Sequence, residues 1–416
     1  MGEPAELVNT LGELHLSLVG PAPQLDISFA KRINLFTGDN GLGKTFLLDI
    51  AWWVLSGTWS DHPAWPQAIE EEIPEIIVDF HQKIGSGYQV LSFSKDTQTW
   101  VSVQDPPQLN GVIIYVQADG GFSVFDPARA PASTYHLTSN TLWNGLRVGD
   151  KVLCNGLIGD WLNWQRQPDP SKFQLLSRVI RQLSPHADEW MEPGEPIRVS
   201  IEDVRDIPTL NFPYGNVPII YASAGIKRIL GLAYLLVWTW YEHLLASKLR
   251  QKAPMDQIIL LIDEVEAHLH PQWQRSILPA ILEVGTNLKN EIKIQLIATT
   301  HSPLVLASIE PQFDEEQDQL FLFELKGQEV TLKEVPWTKQ GDAVGWLTSE
   351  IFGLKQARSR EAETAIEAAY AWMRGGNMET FPENLRTKEQ IHQELLRVLP
   401  EHDRFWPRWI VTTEEE

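Results

Sequence analysis

The amino-acid sequence predicts an α/β protein with a largely parallel core sheet, an antiparallel β lobe, a helical insertion and a helical C-terminal tail. Three observations predict it. Short apolar runs at 33–36 (INLF), 258–262 (IILLI) and 294–298 (IQLIA) each lead into a turn and then a helical pattern. Strands that alternate with helices in this way build a parallel sheet covered on both faces. Between 75 and 125 the chain breaks into strand-like pieces separated by Gly, Pro and Asp, as antiparallel strands are. From Asp342 onward the apolar spacing is mostly helical.

Along the chain, apolar and polar residues alternate at 13–18 (ELHLSL) and 24–29 (QLDISF), which predicts two strands. The run INLF is followed by GDNGLGKT at 38–45 and then by FLLDIAWWVLSG, whose spacing and closing Ser-Gly predict a helix of about three turns. The pieces IIVDFHQ, YQVLSFSK, TWVSVQ and GVIIYVQ form the expected antiparallel lobe, closing a first region at 1–126. Residues 127–217 are less regular. They hold two helical pieces, GLIGDWLNWQ and SKFQLLSRVIRQLS, then a Pro/Gly/Glu-rich break, PHADEWMEPGEP, and read as an inserted, mostly helical subdomain. Region 218–340 returns to the core with PIIY, a long apolar helix, the strand IILLIDE, the helix QWQRSILPAILEVGTNL and the strand KIQLIATTHS. The helical tail, 341–416, ends in acidic residues; from Asp342 on, and especially at the helical stretch Arg360–Arg374 and the aromatic end Phe405-Trp406-Pro407-Arg408-Trp409, it is expected to be a docking surface for a partner, the alternative being that the rings fold back on the inserted subdomain.

Composition excludes several classes. At 416 residues, 43% apolar and 21% charged, with 17 tryptophans, the chain can bury more than one core and is not a disordered one. Its one cysteine, Cys154, rules out a disulfide framework and a cysteine-based zinc site, and suits the reducing cytoplasm. With 34 Lys and Arg against 55 Asp and Glu, the formal net charge is −21, so the averaged field repels nucleic acid and anionic membranes. DNA would need a local basic patch; Lys248, Arg250 and Lys252 make one small cluster, and Lys355, Arg358 and Arg360 another. The N-terminus lacks a basic segment followed by an apolar one, so no signal peptide is expected. The apolar run ILGLAYLLVWTWY at 229–241 is shorter than the roughly 20 residues needed to span a bilayer and reads as a buried helix.

Gly38, Gly43, Lys44 and Thr45 satisfy G-x-x-x-x-G-K-[ST] between a predicted strand and helix. Glycines in such a loop, with Asn40 and Gly41 beside them, let backbone N–H groups converge on phosphate oxygens at a helix N-terminus. Lys44 is placed to reach the β- and γ-phosphates, and the Thr45 hydroxyl to hold Mg²⁺. The strand IILLI ends in Asp263 and Glu264, at the same sheet edge as the loop. Asp263 suits the Mg²⁺ shell, and Glu264 suits the base that orients or deprotonates the attacking water. The strand IQLIA delivers Thr299, Thr300 and His301 to that edge, with His301 a candidate contact for the γ-phosphate. Ser223 and Gly225, in SAGIKR, open the long apolar helix and offer a second anion site, which fits the ATP of a partner subunit.

GDNGLGKT, SAGIKR, LLIDEVEAHLHP and ATTHSP follow the order of the phosphate-loop, signature, magnesium/base and His-switch motifs of ABC-type ATPases. The segment DEVEAHLHP resembles the branch that holds SMC and RecF proteins, the OLD nucleases and the standalone AAA-family ATPases of bacterial anti-phage operons such as Septu. The resemblance covers about residues 10 to 340. It implies a P-loop ABC-ATPase head that dimerises, or forms a higher even oligomer, around ATP and Mg²⁺, each site borrowing Ser223 and Gly225 from the opposite chain. It also makes Gln117, at the end of GVIIYVQ, a candidate metal- and water-sensing glutamine. Ala224 between Ser223 and Gly225, and the missing leucine ahead of them, depart from the usual signature. His268 and His270 look like a zinc pair but have no third ligand in view, and packing is the favoured role. The long stretch between Thr45 and Ser223 argues against a transporter subunit, and no membrane partner is expected. The stretch after Gln340 is expected to be too short for the nuclease domain of the OLD enzymes. The favoured function is a slow ATPase that acts as sensor or scaffold for a separately encoded effector, a nuclease, in anti-phage defence, with DNA contacted indirectly. The alternatives are a RecF/SMC-like repair ATPase that binds DNA directly, and a nucleotide-clamped interaction protein with little turnover.

Overall fold

Alternation at the N-terminus produces β1 (Thr10–Val19) and β2 (Ala22–Ser28), an antiparallel pair that buries Leu11, Leu14, Leu16, Leu25 and Ile27 and turns its polar residues outward. The computed structural model describes residues 10–67, 72–81, 88–102, 111–130, 133–185, 191–288 and 292–414. The leader reading on residues 1–9, the middle of the Pro/Gly/Glu-rich break at 186–190 and the acidic end at 415–416 lie outside the described residues. The chain divides into two compact units, Met1–Gly341 and Asp342–Glu416.

In the first unit β3 (Ile33–Gly38) leads through the glycine loop into α1 (Lys44–Ser56). The strands β4 (Glu75–His81), β5 (Gln89–Ser94) and β6 (Thr99–Ser102) join the first two in a five-stranded antiparallel lobe of order β2-β1-β4-β5-β6. Next come β7 (Val112–Val116), β8 (Phe122–Phe125) and β9 (Thr134–Leu137). They do not extend the lobe: β7 is a parallel strand of the core sheet, with β8 and β9 antiparallel beyond it. Every residue of VIIYV is buried, the mark of a strand covered on both faces, whereas the lobe strands alternate.

The insertion holds α2 (Ser139–Asn144), the hairpin β10 (Leu146–Val148) and β11 (Lys151–Cys154), α3 (Gly156–Arg166), α4 (Ser171–Gln182), and a three-stranded sheet of β12 (Glu192–Arg198), β13 (Asp206–Phe212) and β14 (Gly215–Pro218). It is therefore mixed and not mostly helical. The stretch EPGEPIR, which reads as a break, is a strand: its prolines and glycine sit at an edge, and a register shift between Gly194 and Ile197 accommodates them.

The long helix α5 (Ala224–Leu249) is apolar and long enough to cross a membrane, but 72% of its most apolar window is buried inside the protein. After it come β15 (Gln257–Ile262), α6 (Pro271–Gln274), α7 (Ile277–Asn287), β16 (Lys293–Thr299), α8 (Pro303–Ile309), β17 (Asp318–Lys326) and β18 (Glu329–Val335). The core sheet runs β18-β17-β3-β16-β15-β7-β8-β9, parallel from β17 to β7 and antiparallel at both margins. Ile262 pairs with Ala298, and Thr299 with Phe36, so β15, β16 and β3 end side by side. Gln295, fully buried on β16, ties this sheet to the lobe by accepting from Leu11 N and donating to Leu11 O and Ala30 O.

The second unit is helical: α9 (Ala343–Leu347), α10 (Arg360–Met373), α11 (Lys388–Val398) and α12 (Trp406–Glu414). The rings of its aromatic end are packed inside the unit, while Pro407 and Arg408 between them are exposed. Phe405, Trp406 and Trp409 are buried against Ala362, Ala365, Ile366, Ile391 and Leu395 of the same unit. The core face of α10 is mostly alanine, so in so small a unit the three rings supply the volume that larger aliphatics would otherwise provide. Trp409 is 1% exposed, stands edge-on to Trp372 at 5.8 Å and donates from Nε1 to His392 Nδ1 at 3.0 Å. Trp409→Ala should cost about 3–5 kcal/mol, comparable with the whole stability of a small unit. Amide exchange across 360–410 should then rise sharply; unchanged protection would contradict the packing role.

Candidate nucleotide site

The carboxyl end of β3 delivers Gly38 at φ 123°, where a Cβ would meet the carbonyl oxygen of Phe323 on β17 at 2.2 Å, so only glycine lets the chain turn there. Gly43 then caps α1 without a side-chain partner, which leaves the first-turn N–H groups of α1 facing the loop. Lys44 is 6% exposed, and its ammonium donates to Gly38 O at 2.9 Å and Asp39 O at 2.6 Å. Burial pushes its pKa down, against the opposing pull of Asp263, Asp39, Glu264 and Glu266.

Asp263, 1% exposed at the end of β15, accepts hydrogen bonds on both oxygens: from Thr45 Oγ1 at 2.8 Å and from Thr299 Oγ1 at 2.7 Å. Glu264 follows at φ 49°, a left-handed conformation that a non-glycine residue keeps only when its surroundings impose it. They do so at both ends of the residue. Its N–H donates to Thr299 Oγ1 at 2.7 Å, and its carbonyl accepts from Arg228 Nη2 at 3.0 Å and from Ala267 N at 2.9 Å. Arg228, on α5, also donates to the carbonyls of Asp263, Gln117 and Ala118, and burial lowers its pKa from the ordinary value. Thus a side chain of the signature segment, not singled out from sequence, pins the backbone beside the candidate base.

A cavity of about 370 Å³ opens at this edge. Asn40, Gly41, Gly43, Lys44 and Thr45 line it from the loop, Asp263 and Glu264 from β15, and Thr299 and His301 from β16; Phe46 completes the wall. Gly38 holds Lys44 from below through its carbonyl. The structure does not bring the remaining candidates into this cavity. Gln117 stands beside Asp263 at the sheet edge, where Val116 O accepts from Asp263 N, but its side-chain oxygen lies over Gly121, 2.5 Å from where a Cβ there would stand. Ser223 is exposed and caps α5 by accepting from Ile226 N at 3.4 Å. Gly225 is buried, and a Cβ on it would meet His268 O at 2.6 Å, so the chain needs glycine there for its own packing.

His268 is exposed in a left-handed turn, and His270 caps α6 by accepting from Gln272 N. Among the described residues no group of three or more His, Cys, Asp or Glu is placed to hold a metal. The adjacent oxygens of Thr45 and Asp263 are hard donors, few in number, which is the set that suits Mg²⁺ completed by water and phosphate. Of the two basic clusters, Lys355 pairs with Glu367 and Arg358 with both oxygens of Asp403, so the second is largely neutralised. Sequence reasoning missed Glu266: its carboxylate accepts from Thr300 Oγ1 at 2.6 Å and from His301 N at 2.5 Å. Its place two residues after Glu264 was the available signal.

Parallel core, glycine loop and carboxylates at the sheet edge have the layout of a P-loop nucleotide-binding fold. The family model described as an AAA ATPase domain matches residues 178–306, which include Ser223, Asp263, Glu264 and His301 but not the glycine loop. Among curated relatives, the Septu protein PtuA of Bacillus mycoides (strain KBAB4) is 42% identical over 97 residues, 23% of this chain and 12% of that protein. The "Retron Ec83 probable ATPase" of Escherichia coli is 31% identical over 156 residues, 37% of this chain and 25% of that protein. The Septu protein PtuA of Bacillus thuringiensis is 28% identical over 371 residues, 83% of this chain and 85% of its own length. The chain thus spans an eighth and a quarter of the first two relatives and most of the third. Of solved structures, the SMC head domain from Thermotoga maritima aligns with a TM-score of 0.41 and 16% identity, over 79% of this chain and 99% of that one.

Proposed function

We propose that the chain is a slow ATPase that dimerises around ATP and, as a sensor or scaffold in the cytoplasm, controls a separately encoded nuclease in bacterial anti-phage defence. The observation that carries the catalytic part is the convergence of Lys44, the Thr45–Asp263 pair, Glu264 and His301 on one cavity from three neighbouring strand ends. Backbone N–H groups of 40–45 and the Lys44 ammonium bind the phosphates, Glu264 takes or orients the proton of the attacking water, and His301 steadies the γ-phosphate end. Thr45 and Asp263 would hold Mg²⁺, whose charge offsets that of the phosphates when bound. Similarity to the Septu protein PtuA and the retron ATPase supports the defence role. Cys154, free and buried, fits the cytoplasm. The ion pairs of Lys355 and Arg358 favour indirect over direct contact with DNA.

Ser223 lies exposed outside its own chain's cavity, which supports its use by a partner subunit. Mixing a Ser223→Arg chain with a Lys44→Ala chain, each inactive alone, should then restore up to half of the parental hydrolysis per mixed dimer, about a quarter for a random equimolar mixture, because one of the two mixed sites has both intact halves. Absence of recovery, with mixed dimers demonstrated by tagged co-purification, would remove the shared-site reading.

A further inference from the structure

Glu266 has no role in the account above, yet its carboxylate is more fully engaged than that of Glu264. We propose that Glu266 is a positioning residue for hydrolysis, holding the 300–301 segment in register with Glu264 and so fixing where His301 meets the cavity. The proposal rests on the reading of Glu264 and His301 as the hydrolytic pair.

On its β3 side the 300–301 segment is held by Thr300 N, which donates to Phe36 O at 2.9 Å, but on its β15 side the ladder has already ended, and that is where a tie to Glu264 is needed. β15 and β16 are paired up to Ile262 and Ala298, and beyond that point the ladder supplies no further bond. Thr299 makes the first link past the sheet, through its hydroxyl to Asp263 and Glu264 and its carbonyl to Val265 N. Glu266 makes the next, one oxygen on each of two consecutive residues, Thr300 and His301. Its own place is set by a tight turn in which Glu264 O accepts from Ala267 N and Glu266 O from Leu269 N. A displacement of 300–301 therefore moves His301 relative to Glu264.

The hydrogen-bond inventory shows why a carboxylate is required. The Thr300 hydroxyl accepts from Ser302 N at 3.0 Å, so its single hydrogen is free to point at Glu266, and His301 N–H is also a donor. Two donors converge on two oxygens, and only an ionised carboxylate accepts both with charge assistance. A glutamine there can accept from His301 N with its oxygen and donate from its amide to the second lone pair of the Thr300 hydroxyl, but both bonds lose the charge assistance of a carboxylate. Glu266→Gln is thus a weakening of the tie, and Glu266→Ala its removal.

The test compares parent, Glu266→Gln, Glu266→Ala, Thr300→Val and Glu264→Gln by steady-state ATP hydrolysis and by amide exchange without nucleotide. Loss of register by a fraction of an ångström to an ångström should lower kcat by about 10- to 10²-fold in Glu266→Ala, with KM for ATP within about twofold. Glu266→Gln and Thr300→Val should fall between that variant and the parent, and exchange should rise only around 300–302. A purely structural residue would instead raise exchange across the core and shift KM and kcat together, which would overturn the proposal, as would a kcat within twofold of the parent. Should Glu266→Ala fail to fold, the graded pair decides by the same criteria. Parental turnover in Glu264→Gln would mean that the reading of the site has failed, and this proposal with it; loss there combined with normal Glu266 variants would sink this proposal alone.

Discussion

Lys44→Ala is expected to abolish ATP binding at the concentrations that saturate the parent. Among the described residues that line the cavity the ammonium is the one Lys or Arg charge, and carboxylates at Asp263 and Glu264 share the space. Without it, triphosphate charge faces those acids with only backbone dipoles and the Mg²⁺ that Thr45 and Asp263 would hold in support. Charge-assisted hydrogen bonds of about 1.5–3 kcal/mol each, made to two phosphates, correspond to roughly 10²- to 10⁴-fold in Kd. The fold should survive, because the lost partners of the ammonium are two loop carbonyls at Gly38 and Asp39. Calorimetric titration with ATP checks the prediction, and parental affinity in Lys44→Ala would remove the phosphate-loop assignment.

Glu264→Gln should bind ATP as the parent does and hydrolyse it about 10²- to 10⁴-fold more slowly, the usual effect of losing a general base. The substitution is clean in this protein for a specific reason. The left-handed conformation at Glu264 is held through its backbone, by Thr299 at the N–H and by Arg228 and Ala267 at the carbonyl, so the amide side chain inherits the same position. Only the capacity to accept the proton is lost. Phosphate release gives the rate, and light scattering should show the ATP-bound dimer accumulating. Undiminished turnover would take Glu264 out of the mechanism and direct attention to His301.

What the sequence determined by itself is whatever is local. The motif GDNGLGKT, the strand IILLI running into Asp263 and Glu264, and the β16 run ending at Thr299, Thr300 and His301 each lie within about a dozen consecutive residues, where periodicity and glycine placement report directly on backbone geometry. Parallel strands require their chemistry at the carboxyl edge, so the class of fold and the identity of the loop followed. The tertiary structure decided the rest. Whether VIIYV belonged to the lobe or the core depended on its neighbours, β15 and β8, and a fully apolar pentapeptide carries no register of its own. What the rings of Phe405, Trp406 and Trp409 pack against stayed open in the sequence because the alanine-rich face that they cover lies on another helix. EPGEPIR read as a break because an edge strand tolerates residues that a central one excludes. The contacts of Arg228 and Glu266 were hidden for a related reason: each acts on a segment about 35 residues away, through bonds that exist only once strand order has brought the loops together. Thr45 and Asp263 stand 218 positions apart and 2.8 Å from each other. That contact is a property of the order β3-β16-β15, set by how the whole sheet buries its faces, and no window of sequence contains it.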